Sequence, residues 1–249
     1  MFFFLAALIV TFTSCRKLID RYFPGHHGGQ HTDCRITSIT SGEVQYQVKY
    51  NSSGKIDSIV SDLDPVSDDV HVIFMTYDSL GKLTALRRTK GQPDGINAFH
   101  RYGYSGDKIT TDTIFETSTS TYRVWLSRLT YDSSDRITSE TIEIIYSDIE
   151  GESPFLFNQY WYDANGNLIQ PVVGNPEILY SDYTNPLRTD KTLQFLARDY
   201  SRNAPIGATG FNRNNLPTAF AQPYLFNFNP PTGIRQSIIV TTAMTYSCE

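Results

Sequence analysis

Short apolar runs recur along the chain, and residues that favour tight turns follow each of them. The runs lie at 44–50, 70–77, 122–131 and 155–162, and some alternate between apolar and polar positions while others are almost wholly apolar. This pattern is typical of strands in an antiparallel sheet. Asp or Asn, Ser and Gly follow the runs and supply local hydrogen bonds and positive φ angles. The pattern therefore predicts a series of β-hairpins.

A tyrosine closes each run, and the tyrosines recur at a nearly constant interval. The first four are 27 residues apart and the fifth follows after 31. Such a regular period indicates a repeated structural unit. We predict that each tyrosine faces the core and that the turn after it is exposed. The five are Tyr50, Tyr77, Tyr104, Tyr131 and Tyr162.

The tyrosine-centred segments, such as Tyr77-Asp-Ser-Leu-Gly-Lys-Leu83, resemble the YD repeats of bacterial surface and Rhs-type proteins. They are more similar still to the YD-like hairpins of small uncharacterised lipoproteins of Bacteroidota. The resemblance covers about 34–170, a degenerate sixth copy at 211–217 and the closing segment 244–248. It implies a curved antiparallel sheet of consecutive hairpins, and no established activity.

The pattern changes after residue 170. Leu193, Leu196, Ala197 and Tyr200 follow helical spacing, and Thr189 or Asp190 could cap such a helix. We predict one short helix there, which packs its apolar side on the sheet or closes the end of the sheet. Residues 203–233 are rich in Asn, Pro and Gly, which favours loop around a short hairpin.

The predicted fold class is all-β, a curved antiparallel sheet of consecutive β-hairpin repeats with one short helix near the C-terminus. We expect a single domain over 34–249. Its hairpin repeats occupy 34–170, its helix and loop 171–233, and its closing strand 234–249.

The N-terminal segment has the pattern of an export signal. Residues 1–14 carry no charge and meet Cys15, Arg16 and Lys17, and the apolar stretch is far below the roughly 18–20 residues that span a bilayer. Phe12-Thr13-Ser14-Cys15 resembles the lipobox of bacterial lipoproteins, although leucine is usual at the position of Phe12 and a basic leader is missing. The resemblance implies removal of 1–14, lipidation of Cys15 and a place in the cell envelope, with the outer membrane favoured. The alternative is a buried apolar N-terminal strand.

Residues 15–33 form the predicted tether between lipid and domain. His26, His27 and His31 lie among Pro and Gly, where they could hold a metal ion or belong to a solvated flexible segment. Cys34 and Cys248 remain as an even pair, for which we predict a disulfide; the alternative is two free thiols. A disulfide would require Cα atoms roughly 4.4–6.8 Å apart.

Composition narrows the function. Hydrophobic residues make up 40% and charged residues 19%, which argues against disorder, and a net charge of −5 gives no footprint for nucleic acid. The common catalytic motifs are missing from the sequence. His71 and His100 lie in strand-like runs, where a surface or core role is expected. The acidic segment Asp62–Asp69 could bind calcium or remain a solvated connection.

Aromatic residues are the remaining candidates for binding. Trp125, Tyr160 and Trp161 lie in predicted strands, where they could form an exposed face for carbohydrate or peptide, or pack under the helix. We expect a non-enzymatic envelope lipoprotein without cofactor or metal, which binds a glycan or an envelope protein through its sheet. The alternatives are an accessory protein or enzyme of carbohydrate handling, and a fragment of a larger YD-repeat system.

Overall fold

The computed structural model describes residues 34–42, 44–62, 70–90, 97–118, 120–169, 179–227 and 238–248. The strands in chain order are β1 (Cys34–Ser41), β2 (Val44–Tyr50), β3 (Ile56–Ser61), β4 (Val70–Tyr77), β5 (Leu83–Lys90), β6 (Asn97–Ser105), β7 (Lys108–Thr117), β8 (Tyr122–Tyr131), β9 (Ile137–Ser147), β10 (Phe155–Gln159), β11 (Trp161–Tyr162), β12 (Leu168–Ile169), β13 (Tyr180–Thr184), β14 (Asn203–Pro205), β15 (Ala208–Phe211), β16 (Pro217–Asn227) and β17 (Ile238–Cys248). A 3₁₀ turn (Pro186–Thr189) and the helix α1 (Lys191–Ala197) lie between β13 and β14.

Thirteen of the described strands form one antiparallel sheet, which confirms the predicted fold class. Its order is β10-β9-β8-β7-β6-β5-β4-β3-β2-β1-β17-β16-β15. Sequential hairpins therefore lie side by side from β1 to β10, whereas the last strands add to the other side of β1. The strand content of 203–227 is higher than predicted, because β16 alone runs for 11 residues.

One face of the sheet, here called the inner face, carries the main core. Aliphatic side chains from successive strands, such as Ile36, Ile59 and Leu86, pack there with Leu193 and Leu196 of α1. The helix begins where predicted, because the Asp190 side chain accepts a hydrogen bond from the Thr192 amide. It ends at Arg198, which adopts the left-handed conformation with φ 55°. The helix thus packs its apolar side on the sheet.

One side chain builds the turn after several of the hairpin strands. Asp78 Oδ1 accepts the backbone N–H groups of Leu80 and Lys82 at 2.9 and 2.8 Å. The side chains of Asn51, Asp132 and Asn212 each accept the two equivalent backbone N–H groups of their own turns, two and four residues further along. The degenerate sixth copy therefore folds as a hairpin turn like the others. Asp78 is exposed, whereas Asp132 and Asp163 are half-buried.

The motif tyrosines join each hairpin to the one before it. All five are half-buried, and each hydroxyl donates to the carbonyl of an aliphatic residue at or near the start of an earlier strand. Tyr77 thus bonds the Ile56 carbonyl at 2.9 Å. The same bond, at 2.6 to 3.3 Å, links Tyr50 to Ile36, Tyr104 to Leu83, Tyr131 to Ile109 and Tyr162 to Ile137. We call this series the tyrosine ladder.

Basic residues near the start of the strands take part in the same ladder. The Lys55 ammonium lies 5.5 Å from the centre of the Tyr77 ring, in the range of a cation–π contact. Equivalent pairs at 4.1 to 5.6 Å are Arg35 with Tyr50, Lys82 with Tyr104, Lys108 with Tyr131 and Arg136 with Tyr162. Gly81, with φ +76°, leaves room for this cation, since a Cβ there would lie 2.6 Å from Lys55 Cε.

A disulfide joins Cys34 of β1 to Cys248 of β17, as predicted. The two residues face each other directly in the register of these strands. Their Cα atoms are 4.0 Å apart, slightly closer than the range expected from the sequence. We call the junction of β1 and β17 the seam. The tyrosine ladder continues on the far side of the seam, because the Tyr246 hydroxyl of β17 donates to the Pro217 carbonyl of β16. The disulfide thus takes the place that a turn occupies between Tyr50 and Ile56 and between Tyr77 and Leu83.

Candidate functional site

The three aromatic residues nominated from the sequence do not share one exposed face. Trp125 is only 3% exposed, and its indole N–H donates to Glu116 Oε2 at 3.0 Å. Tyr160 packs against the core and donates its hydroxyl to Glu140 Oε2 at 3.1 Å. Trp161 alone is substantially exposed, at 48%. Trp125 and Tyr160 therefore serve the inner face, because their rings are covered there and their polar atoms are satisfied by buried carboxylates.

A different set of aromatic residues lies exposed on the opposite face, here called the outer face. Residues directly opposite each other on paired strands project from the same face of a sheet. Cross-strand pairing places Phe74, Arg87, Phe99, Phe115, Val124 and Tyr146 in one row across β4 to β9. Phe74 and Phe99 are exposed, at 43% and 37%, and the rings of Phe99 and Phe115 are 6.0 Å apart.

Two further rows run beside the first on the outer face. Arg101, Thr113, Leu126, Glu143 and Phe155 face each other across β6 to β10. Arg128, Thr141 and Phe157 form the next row. Phe155 and Phe157 are strongly exposed. The Tyr122 ring lies 5.7 Å from that of Tyr146 and extends the aromatic surface toward one end of β8. The outer face is therefore an aromatic surface that spans at least six strands.

Three arginines lie among these rings. Arg87 stands between Phe74 and Phe99 in the first row, and the Arg101 guanidinium lies 5.5 Å from the centre of the Phe115 ring. Arg128 is bound to Glu143 at 2.5 Å. Among the described residues, no carboxylate lies within ion-pair distance of Arg87 or Arg101. The outer face thus combines exposed aromatic rings with two guanidinium groups that can bind an anionic partner.

A pattern in the sequence indicates which residues lie on this face, and the prediction of Trp125 and Tyr160 as exposed residues did not use it. In the segments that lead up to a motif tyrosine, residues at an odd offset before that tyrosine project outward. Phe74, Phe99, Tyr122, Phe155 and Phe157 all obey this rule, as does Trp161. Trp125 and Tyr160 lie at even offsets and share the inner face of their tyrosines.

Behind the outer face, the inner face holds a buried polar cluster. His100 is bonded through Nδ1 to Asp112 Oδ2 at 2.9 Å, and its Nε2 accepts from Arg88 Nε at 3.2 Å. Glu140 accepts from Ser127 at 2.7 Å and from Arg198 at 3.0 Å. These groups lie between the main core and a smaller cluster around Ile114 and Ile142. Arg198 therefore links the end of α1 to strand β9 through a buried ion pair.

Burial controls the protonation of this cluster. It lowers the pKa of His100, although Asp112 opposes that shift, and it lowers the pKa of Arg88 to about 10. Burial alone would lower the pKa of Arg198, but Glu140 outweighs it and the pKa is raised. The contacts suit a neutral His100 with its proton on Nδ1, because Nε2 faces the N–H of Arg88 and a guanidinium can only donate. With every ring nitrogen engaged, the cluster is suited to holding strands β5 to β9 and α1 together.

Several residues singled out from the sequence lie outside the described ranges. These are Cys15, the tether histidines His26, His27 and His31, and residues 63–69 of the acidic segment. The backbone of His71 lies in β4, but its side chain is not among those described. Asp62 accepts a hydrogen bond from the Gln45 amide at 2.7 Å. Within the described ranges, no three His, Cys, Asp or Glu side chains group as a metal site.

The fold and the outer face define an open antiparallel hairpin-repeat sheet with an exposed aromatic surface. No protein-family model matches the chain, and no curated protein sequence matches it significantly. No helix in the described part of the chain is long and apolar enough to cross a membrane.

Proposed function

We propose that the protein is a non-enzymatic cell-envelope module that binds a glycan on its outer face. The observation that carries this proposal is the set of exposed aromatic rings aligned in rows across β4 to β10. Exposed patches of this kind mark interaction sites, because solvated aromatic surface is otherwise unfavourable. Rows that cross many strands suit an extended polymer, whose rings can stack in turn on Phe74, Phe99 and Phe115.

The envelope location is part of the proposal. A disulfide between Cys34 and Cys248 is typical of an oxidising compartment, and the predicted export signal and the proposed lipidation of Cys15 point to the same compartment. The kinship with YD-like lipoproteins remains a proposal too, and the regular tyrosine ladder supports it. A glycan is a suitable ligand for such a compartment, since glycans are major components of cell envelopes.

The experiment is a binding screen with the full-length protein against neutral and acidic polysaccharides, followed by isothermal titration of those retained. Phe99→Ala and Phe74→Ala should each weaken binding about tenfold, which corresponds to about 1.4 kcal/mol of lost contact. Both side chains are exposed, so the thermal midpoint should change little.

Leu80→Ala is the matched control, since Leu80 is a large apolar residue that is 81% exposed at a turn, away from the outer face. Its binding should equal that of the native protein. Failure of every polysaccharide to bind, or equal binding by Phe99→Ala and the native protein, would contradict the proposed function.

A further inference from the structure

We propose that the outer face selects a carboxylate-bearing glycan, and that Arg87 and Arg101 are the residues that select it. This inference rests on the proposed function and adds the chemistry of the ligand. It starts from the contrast among the three arginines of the face. Arg128 is already paired with Glu143, whereas Arg87 and Arg101 have no carboxylate within 4.0 Å among the described residues.

The placement of the two unpaired arginines matches a polymer with alternating apolar and charged groups. Neighbouring strands lie about 4.8 Å apart, so Phe74, Arg87 and Phe99 present ring, cation and ring at successive strand spacings. Arg101 lies over the Phe115 ring, which orients its guanidinium, and none of the described carboxylates lies within ion-pair distance of it. A guanidinium held in this way can bind a carboxylate through two parallel hydrogen bonds.

The charge of the face argues for an anionic partner rather than a second copy of this chain. The chain carries a net charge of −5, yet the outer-face rows carry three arginines and a single carboxylate, Glu143. Two such faces packed together would bring unpaired arginines into a desolvated contact, which is unfavourable. An acidic glycan would instead neutralise Arg87 and Arg101 while its sugar rings cover the phenylalanines.

The disulfide helps to decide between an acidic glycan and a second class of polyanion, nucleic acid. Aromatic rings with arginines on a sheet can also bind single-stranded nucleic acid. However, Cys34 and Cys248 are joined, and such bonds form in compartments outside the cytosol. The compartment therefore favours the acidic glycan over nucleic acid.

The test compares three carboxylated polysaccharides, namely polygalacturonate, alginate and hyaluronate, with the carboxyl-reduced form of each. The full-length native protein should bind at least one acidic form more than tenfold tighter than its reduced form, and added salt should weaken that binding. The double variant Arg87→Gln/Arg101→Gln should lose this preference. Arg128→Gln is the matched control on the same face and should keep the preference.

The outcomes separate the inference from the proposed function. If acidic and reduced forms bind equally and Phe99→Ala still weakens both, the glycan function stands and the charge selectivity is overturned. If polyglutamate or oligothymidylate binds in an Arg87-dependent way while no polysaccharide does, both proposals are overturned in favour of another polyanion. If the double variant binds the acidic forms as the native protein does, the role of these two arginines is overturned.

Discussion

At the scale of single residues, His100 is a buried group whose contacts make it sensitive to pH. Its ring is 1% exposed and is fixed between an acceptor, Asp112, and a donor, Arg88. A second proton would go to Nε2, where it would face the N–H of Arg88. Burial adds to this conflict and lowers the pKa of His100 in the folded protein. Protonation is therefore easier in the unfolded chain.

The free energy of unfolding should consequently depend on His100. Because the folded pKa lies below the unfolded value of about 6.5, the stabilising contribution is complete above pH 6.5 and is lost as the pH falls toward the folded pKa. One such group changes the free energy of unfolding by up to about 1.4 kcal/mol per pH unit. Urea unfolding at pH 7.5 and 5.5 should show the loss.

His100→Gln provides the comparison. The variant should be less stable at pH 7.5 but should show a shallower decline toward pH 5.5. Burial raises the pKa of Glu116, so this group stabilises the folded protein as the pH falls, opposite to His100. The native protein and the variant share this effect, so it cancels in their comparison. Identical slopes for the native protein and His100→Gln would refute this account of the buried cluster.

At the scale of the element, the hairpin is defined by contacts that reach into the hairpin before it. The tyrosine hydroxyl, the aliphatic carbonyl and the basic side chain all come from neighbouring repeats. One repeat therefore cannot satisfy its own motif. In repeat proteins of this kind, stability arises at the contact between neighbours.

The tyrosine ladder can be tested with one hydroxyl. Tyr131→Phe keeps the ring against the core but removes the 2.6 Å bond to the Ile109 carbonyl. We expect a loss of about 1 kcal/mol in the free energy of unfolding, measured by chemical denaturation, because a half-buried acceptor loses its partner. Tyr146→Phe, on the exposed outer face, should cost much less. A Tyr131→Phe protein as stable as the native one would show that the ladder is incidental.

The sequence predicted these hairpins well and predicted the outer face poorly, for a physical reason. Turn residues and tyrosine spacing are local signals, so Tyr77-Asp-Ser and its equivalents identify each hairpin directly. The face of a side chain depends on strand register, which a bulge changes by one residue. Ile109 and Ile114 both face inward although they are five residues apart, because the register shifts between them. Phe115 therefore faces outward, which simple alternation along β7 would not predict.

The buried polar cluster could not be predicted for another reason. His100, Asp112, Glu140 and Arg198 come from three strands and the end of a helix, and Glu140 and Arg198 are 58 residues apart. Their meeting depends on how α1 packs on the sheet. The sequence marks each of them only as a polar residue in or near a regular element.

At the scale of the whole molecule, the disulfide fastens the last strands of the open sheet to β1. Cys34 and Cys248 are 214 residues apart, and their bond holds β17, and with it β16 and β15, against β1. A loop of that length corresponds to about 5 kcal/mol in the chain-entropy model. That is a large part of the 5–15 kcal/mol by which domains are usually stable.

The double variant Cys34→Ser/Cys248→Ser should therefore unfold at a clearly lower denaturant concentration than the native protein. Hydrogen exchange should show the loss of protection first in β16 and β17, whose pairing to the rest of the sheet runs only through β1 among the described strands. Reduction of the native protein should reproduce the effect. An unchanged midpoint after complete reduction would contradict this role for the bond.

The position of that bond also bears on how the strands could be connected. Tyr246 and Ile36 are related across the seam as Tyr50 and Ile56 are related across a turn, so the disulfide does the work of a peptide loop. The sheet itself stays open, but a loop in place of the bond would let the chain run from β15 through β17 and β1 to β10 without a break. A circular permutant that replaces the bond with an Asp-Ser-Ser-Gly-Lys loop and opens at another turn would preserve the sheet. The sheet would then depend on the register of the tyrosines and not on the position of the chain ends.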